Sequence, residues 1–92
     1  MRVKVRFFAR FRELLGTDIV VDAAAGTRFN GLIRDIAAKN REGYDEIFDE
    51  KGTFRDFVVL MKNGKRIDTL DAPQTTIEDG DEIAVFPPVA GG

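Results

Sequence analysis

Residues 1–16 read MRVKVRFFARFRELLG, and positions 2–7 alternate between basic and apolar side chains. The apolar positions of this alternation are Val3, Val5 and Phe7. A period of two is typical of a strand with one face in a core and the other in solvent. The stretch therefore predicts a first strand.

The next two elements are predicted from their boundaries. Ala9–Leu15 predicts a helical turn that Gly16 ends in a left-handed conformation, which glycine adopts without a Cβ penalty. TDIVVD at residues 17–22 then predicts a second strand. The two strands would form a wide hairpin.

A main helix is predicted after residue 26, with Thr27 as its N-terminal cap. Its apolar residues follow helical spacing and are Phe29, Leu32, Ile33, Ile36 and Ala37. Gly31 costs a helix interior about 0.5–1 kcal/mol relative to alanine, so the helix either packs closely there or begins late. Asn40 to Gly43 are expected to end it.

The second half of the chain predicts one more helical turn and three strands. YDEIFDEKG at 44–52 places Tyr44, Ile47 and Phe48 on one face and ends in a turn at Lys51 and Gly52. Asn-Gly at 63–64, between FVVLMK and KRID, suits a type I′ hairpin. EDGD at 78–81 predicts a turn, and EIAVF at 82–86 predicts the last strand.

The predicted order is strand, strand, helix, strand, strand, strand. A sheet with one main helix across it is an α+β, two-layer domain, and we expect the first and last strands to pair in parallel at its centre. Residues 1–86 form this domain, and residues 87–92 form a flexible tail.

Composition restricts the chemistry. The 92 residues include no cysteine and no histidine, which removes the commonest nucleophile, general base and soft metal ligands. A self-contained enzyme is therefore not expected, nor is a bound cofactor or metal. No apolar run approaches the roughly 20 residues that span a bilayer. With neither membrane segment nor signal peptide recognised, we expect a cytoplasmic protein without membrane partners.

Charge is unevenly distributed along the chain. The net charge of −2 argues against a nucleic-acid partner. The first twelve residues carry only bases, and residues 71–92 carry only acids. These ends could bind an anionic partner and a cationic one, but we favour mutual neutralisation in one sheet.

The last residues predict the functional group. Pro87 and Pro88 cannot donate ladder hydrogen bonds, so pairing should stop at Phe86 and the tail should project by roughly 20 Å. Gly91 and Gly92 could thread a narrow slot and leave the terminal carbonyl carbon open to attack. A carboxylate is a poor electrophile, so a partner would first convert it to a better one, for example a mixed anhydride with AMP made from ATP. A frayed terminus is the alternative.

The sequence resembles a known family at three places. VRFFARFRELLGTD near the start and DGDEIAVFPPVAGG at the end are similar to the small subunit of molybdopterin synthase and its MoaD/ThiS sulfur-carrier relatives. GYDEIFDEKGTFRDFVVLMKNGKRI between them resembles the archaeal branch, which includes the small archaeal modifier proteins. The terminal motif is the most specific of the three.

The resemblance implies a ubiquitin-like β-grasp fold of four to five strands on one main helix. It also implies activation of Gly92 by an E1-like adenylyltransferase. The glycine would become a thiocarboxylate for molybdopterin or tRNA thiolation, or be joined to target lysines. The molybdopterin synthase large subunit is a further implied partner, and Phe86 matches a position that meets partner enzymes. Lys62 departs from the valine of many relatives and could alter the partner surface.

A partner surface follows from strand parity. Ala84 and Phe86 should point outward with Arg6, and Met61 should share that face in register with Phe86. With Pro87 and Pro88 they form the predicted partner-binding set. The alternative is that Met61 and Phe86 only cover the core edge. Two other functions remain open: an interaction module that is bound through its sheet face and does not use its tail, and a subunit that completes the active site of another chain. No lysine is assigned as a conjugation site.

Overall fold

The structure, a computed structural model, describes residues 1–88. Within this part of the chain five strands, three helices and one 3₁₀ turn follow one another. In chain order they are β1 Arg2–Phe7, α1 Ala9–Leu15, β2 Ile19–Asp22, α2 Phe29–Ala37, α3 Arg41–Ile47, β3 Val59–Lys62, β4 Lys65–Ile67, the 3₁₀ turn Ala72–Gln74 and β5 Glu82–Phe86. The predicted α+β class is confirmed.

The five strands form one mixed sheet in the order β2-β1-β5-β3-β4. β1 and β5 are parallel neighbours at its centre, and every other pair is antiparallel. The central parallel pair and the hairpin at Asn63-Gly64 were both predicted. Asn63 and Gly64 have φ of 51° and 81°, as a type I′ turn requires.

The core lies between one face of the sheet and the helices. The sheet residues that it buries alternate along the central strands and are Val3, Val5, Phe7, Leu60, Ile83 and Val85. α2 buries the apolar stripe that the sequence predicted, Phe29, Leu32, Ile33, Ile36 and Ala37. None of the outward-facing residues Arg6, Met61, Ala84 and Phe86 belongs to the buried core, and the opposite face that they share carries the candidate site described below.

The start of α2 differs from the prediction. Arg28, not Thr27, is the N-cap residue, and it makes no side-chain capping bond. The Thr27 hydroxyl donates backward to the Ala24 carbonyl at 2.6 Å. Phe29 N–H instead donates to Thr75 O at 2.8 Å, so the helix start is anchored to the loop before β5. A tertiary contact replaces the local cap.

The end of α2 also differs from the prediction. The helix stops at Ala37, and Asn40 begins α3 by accepting a hydrogen bond from Gly43 N–H at 3.1 Å. Residues 40–43 therefore start a second helix as well as ending the first. The open question about Gly31 is answered by its position in the first turn of α2, where an added Cβ would meet no atom within 4 Å.

The two chain ends lie side by side, but they are neutralised differently from the expectation. Lys4 stands in register with Glu82, yet no salt bridge of residues 1–88 joins the basic first twelve residues to the acidic end. Arg6 binds Asp18 instead, and Arg10 binds carboxylates of α1 and α3. Strand parity places Arg6 beside the β1–β2 connection, which a linear count of charges does not reveal.

A buried carboxylate fixes the corner between the Asn63-Gly64 turn and β5. Asp81 is only 6% exposed and accepts hydrogen bonds from Asn63 Nδ2 and Glu78 N–H, each at 2.8 Å. Lys62 Nζ lies 3.7 Å from Asp81 Oδ2. Lys62 has the parity of buried Leu60, so its side chain points away from the outer face that carries Met61. That it alters the partner surface stays a prediction.

β5 ends at Phe86, and Pro87 and Pro88 belong to no strand. Residues 89–92 lie outside the described residues, so the predicted tail and the domain boundary stay predictions. Within residues 1–88, none of the helices has the length and apolar character needed to cross a membrane.

Replacing Gly31 with alanine should stabilise the domain by about 0.5–1 kcal/mol. Alanine restricts the backbone of the unfolded chain, so less conformational entropy is lost when the helix forms. Gly43 is the matched control, since its added Cβ would lie 2.9 Å from Leu15 Cγ and Cδ2. Gly43→Ala should cost about 1–3 kcal/mol through overpacking. Urea denaturation measures both changes, and destabilisation by Gly31→Ala would contradict the assigned start of α2.

Asp81→Asn should lower the free energy of unfolding at neutral pH by about 1–3 kcal/mol, because an amide donor would face the donors at this corner. Burial raises the pKa of Asp81, but the bonds from Glu78 N–H and Asn63 and the charge of Lys62 together hold it below its ordinary 3.8. The stability from this group is therefore complete above about pH 4 and is lost as pH falls through the folded-state pKa.

The control is Asp71→Asn, whose carboxylate makes no hydrogen bond or salt bridge within residues 1–88. Denaturation curves between pH 2 and 7 should show a shallower acid dependence for Asp81→Asn than for the wild type or Asp71→Asn. Identical acid dependence in all three proteins would remove Asp81 from the account of acid stability.

Candidate functional site

The predicted reactive residues, Gly91 and Gly92, lie outside the described residues. The structure does describe where the chain leaves the domain, at the end of β5. The candidate site is therefore the surface around Phe86, Pro87 and Pro88, where the outer face of the sheet meets α1 and α3.

One transverse row of side chains crosses this outer face. β1 contributes Arg6, which pairs with Ala84 of β5; Ala84 also pairs with Met61 of β3, and Met61 pairs with Arg66 of β4. Met61 thus shares the face of Phe86, as predicted, but not its register. The residue in register with Phe86 is Val59, two positions before Met61. β3 and β5 are antiparallel, so Met61 pairs with Ala84, which lies two positions before Phe86.

Phe86 is stacked on Phe8, the residue that follows β1. Their ring centroids are 4.2 Å apart and their planes differ by 11°. Arg6 Cζ lies 5.7 Å from the centroid of Phe8, and Arg6 Nε binds Asp18 Oδ1 at 3.0 Å. Ala9, with φ of 51°, turns the chain directly after Phe8 into α1. The backbone turn and the stack together hold the last ring before the tail.

The stack forms one wall of an open groove of about 1020 Å³, here called the apolar groove. Its apolar lining is Phe8, Ala9, Phe11, Phe57, Val59, Met61, Phe86, Pro87 and Pro88. Phe57 is 50% exposed, and the rings of Phe8 and Phe86 are partly exposed. An exposed apolar surface of this kind, bordered by charges, is typical of a protein-interaction site.

Charged residues of the helices border the groove on one side. Arg10 of α1 binds Glu46 at 3.3 Å and Glu13 at 3.5 Å, and it also binds Glu42. The hydrogen bond to Glu46 raises the pKa of the Arg10 guanidinium, with burial opposing and the charges of Glu46 and Glu42 adding. Arg10 therefore stays charged and ties α1 to α3 beside the groove.

The structure brings the six predicted partner-binding residues together. Phe86, Met61, Pro87 and Pro88 line the groove, while Ala84 and Arg6 lie in the transverse row beside it. Met61 and Phe86 are partly exposed and lie outside the buried core, which argues against a role limited to its edge. That these residues bind a partner stays a prediction.

The predicted set did not include five apolar residues of the groove, which are Phe8, Ala9, Phe11, Phe57 and Val59. Phe57 and Val59 lie within the predicted strand at 57–62 and share the odd, outward parity of Met61. Even positions of β1 point outward, so continuing that alternation by one residue would have found Phe8.

Residues 1–88 contain no group of three or more metal-ligating side chains that could hold an ion. The groove is largely hydrocarbon, and its charged neighbours Arg10 and Glu46 bind each other. This geometry can bind an apolar protein surface, and it offers no nucleophile paired with a base.

Comparison with known proteins connects this chain to a family. The model of the ThiS family matches residues 5–92. Small archaeal modifier protein 3 of Haloferax volcanii is 36% identical, and the match covers all of both chains. The molybdopterin synthase sulfur carrier subunit of Escherichia coli is 37% identical, over 98% of this chain and 99% of that protein.

The fold is shared with a solved modifier protein. The crystal structure of SAMP1 from Haloferax volcanii superimposes with a TM-score of 0.84, at 22% identity and with complete coverage of both chains. At that identity the likeness shows the fold, which confirms the predicted ubiquitin-like β-grasp arrangement. The curated relatives are carrier and modifier proteins, in agreement with the expectation of a non-enzyme.

The Phe8–Phe86 stack should be measurable as a coupling energy. A double-mutant cycle of Phe8→Leu and Phe86→Leu should give about 0.5–1.5 kcal/mol in the free energy of unfolding, because stacked rings interact beyond their buried area. The control cycle pairs Phe57→Leu with Phe86→Leu. Phe57 lines the same groove but has no ring contact with Phe86 among the described residues, so its coupling should be near zero.

Proposed function

Because this chain belongs to the ThiS family, we propose that it presents the carboxylate of Gly92 to an ATP-dependent, E1-like adenylyltransferase. The apolar groove docks that enzyme, and the tail reaches its active site. The observation that carries the proposal is the position of the groove at the root of a Pro-Pro-Val-Ala-Gly-Gly terminus. The proposal requires Gly92 to be the free end of the mature polypeptide, in the ATP-containing cytoplasm.

The activation step forms one bond and breaks another. A carboxylate oxygen of Gly92 attacks the α-phosphorus of ATP, and pyrophosphate leaves, so that an acyl adenylate is formed. A sulfur nucleophile or a lysine amine then attacks the carbonyl carbon, and AMP leaves with the bonding electron pair. The chain itself supplies the acyl group, while the partner supplies the catalytic residues and binds ATP.

The groove supports this division of roles. Phe8, Phe57 and Phe86 present large apolar rings to the groove, and aromatic residues are enriched at protein interfaces. Phe86 is the last residue of β5, so a partner that binds its ring also fixes the direction in which the chain continues at Pro87. The residue that docks the partner is therefore adjacent to the tail that the partner receives.

Two fates of the activated glycine follow from the two kinds of relative. The Escherichia coli relative is a sulfur carrier subunit of molybdopterin synthase, and the Haloferax volcanii relative is a modifier protein. We propose that the same groove docks the activating enzyme first and an acceptor afterwards. The acceptor is a molybdopterin synthase large subunit, a thiolation enzyme or a protein that offers a target lysine.

Deleting Gly92 should abolish adenylation and leave thermal unfolding nearly unchanged, because an exposed tail contributes little packing. The protein is incubated with the adenylyltransferase of its host and ATP, and its intact mass is then measured. An AMP adduct, or replacement of one oxygen by sulfur when a sulfur donor is present, is expected only with Gly92 in place. An unmodified wild-type protein would contradict the proposal, and a large loss of melting temperature on deletion would show the tail to be structural.

Phe86→Ala should lower the catalytic efficiency of adenylation by roughly tenfold or more, since truncation of an interface anchor typically costs above 1 kcal/mol. Leu70→Ala is the matched control, because Leu70 is 77% exposed but does not line the groove. Circular dichroism confirms that both variants fold. Equal effects of the two substitutions would show that the groove is not the docking site.

A further inference from the structure

We infer that Arg66 determines partner specificity by binding a carboxylate on the protein that docks in the apolar groove. The inference rests on the proposed function and names the chemistry that the partner must bring. It arises from the two arginines of the transverse row, only one of which is paired with a carboxylate of the chain itself.

The row has an arginine at each end and small or apolar residues between them. Arg6, Ala84, Met61 and Arg66 follow one another across four adjacent strands. At about 4.8 Å between neighbouring strands, the two arginine Cα atoms are roughly 14 Å apart. Ile67, the next residue of β4, packs against the core, so Arg66 has outward parity and is exposed.

The cations near the groove differ in whether the chain itself satisfies them. Arg6 is bound by Asp18, and Arg10 is bound by three carboxylates. Arg55 Nε donates to the Asp45 carbonyl at 2.8 Å. Arg66, in contrast, makes no salt bridge and no side-chain hydrogen bond with any of residues 1–88.

Two acidic residues lie near Arg66, but neither binds it. Asp56 and Asp68 line the same shallow pocket, and neither carboxylate forms a salt bridge with the guanidinium. Asp68 Oδ1 accepts a hydrogen bond from Leu70 N–H at 2.9 Å and so stabilises its own turn. The donors of Arg66 are therefore available to a docked partner.

A protein carboxylate is the ligand that fits these donors. Arginine presents a planar fork that matches a carboxylate with two parallel hydrogen bonds. A partner that covers Met61 also covers the end of the row, so its acid would meet Arg66 at the rim of the interface. Rim charges act mainly on the association rate and on its dependence on salt.

The test compares Arg66→Glu, Arg66→Gln and Arg66→Lys with the wild type in binding to the host adenylyltransferase. The association rate should fall roughly two- to fivefold for Arg66→Gln and tenfold or more for Arg66→Glu, while Arg66→Lys retains most of it. The salt dependence of the rate should weaken in the Gln variant. Lys39→Glu is the control, because the same charge reversal lies beside α2 and β2, away from the groove.

A zero-length carbodiimide crosslink gives a readout that a purely structural role would not move. Arg66→Lys places an amine at the end of the row, and it should join to a carboxylate of the enzyme through an amide bond. Peptide mass spectrometry then identifies both residues. Crosslinks confined to other lysines, or an Arg66→Glu variant that binds at the wild-type rate, would overturn the inference.

Binding is measured with and without ATP, so the two proposals fail separately. If the wild-type protein binds and the Glu variant does not, the inference holds even when no adenylate forms, and only the proposed chemistry is contradicted. If adenylation proceeds equally in all variants, the proposed function holds and the role of Arg66 does not. A wild-type protein that shows no binding contradicts both proposals.

Discussion

The parallel pairing of β1 with β5 is the constraint on which the rest of the molecule depends. It places the start and the end of the folded chain next to each other at the centre of the sheet. Val5 and Ile83 are thereby buried together on one face, while Arg6 and Ala84 are presented together on the other. The same register brings Phe8 to Phe86, so a single pairing builds both the core and the root of the tail.

The two faces of the sheet then have different roles. The helix-covered face buries an apolar core, and its corner is held by Asp81 with Asn63 and Lys62. The outer face keeps large apolar side chains in solvent, which folding alone does not require. Phe8, Phe57 and Phe86 lie outside the buried core, and an exposed apolar surface of this kind is typical of an interaction site. Most groove residues are thus distinct from the residues of the buried core, and Phe11 belongs to both sets.

The sequence predicted the features that depend on local pattern. Strand alternation, the helical stripe of α2 and the Asn63-Gly64 turn all follow from nearest neighbours, and the structure confirms them. The errors have tertiary causes. The first N–H group of α2, on Phe29, donates to the carbonyl of Thr75. Arg6 forms a salt bridge with Asp18, which lies in the connection between β1 and β2. The groove was found only in part, because Phe8 lies one residue beyond the alternation of β1, and Phe57 comes beside Phe86 only through the pairing of β3 with β5.

An apolar groove alone specifies little, because many proteins expose apolar ridges that could enter it. Affinity can come from Phe8, Phe57 and Phe86, yet the choice among partners and the orientation of docking need directional contacts. In the role inferred for Arg66 the transverse row supplies such contacts, and its Arg6 end is neutralised internally by Asp18. A partner carboxylate consequently gains more at the Arg66 end. The asymmetry of the row would orient the docked protein, and with it the direction in which the tail enters.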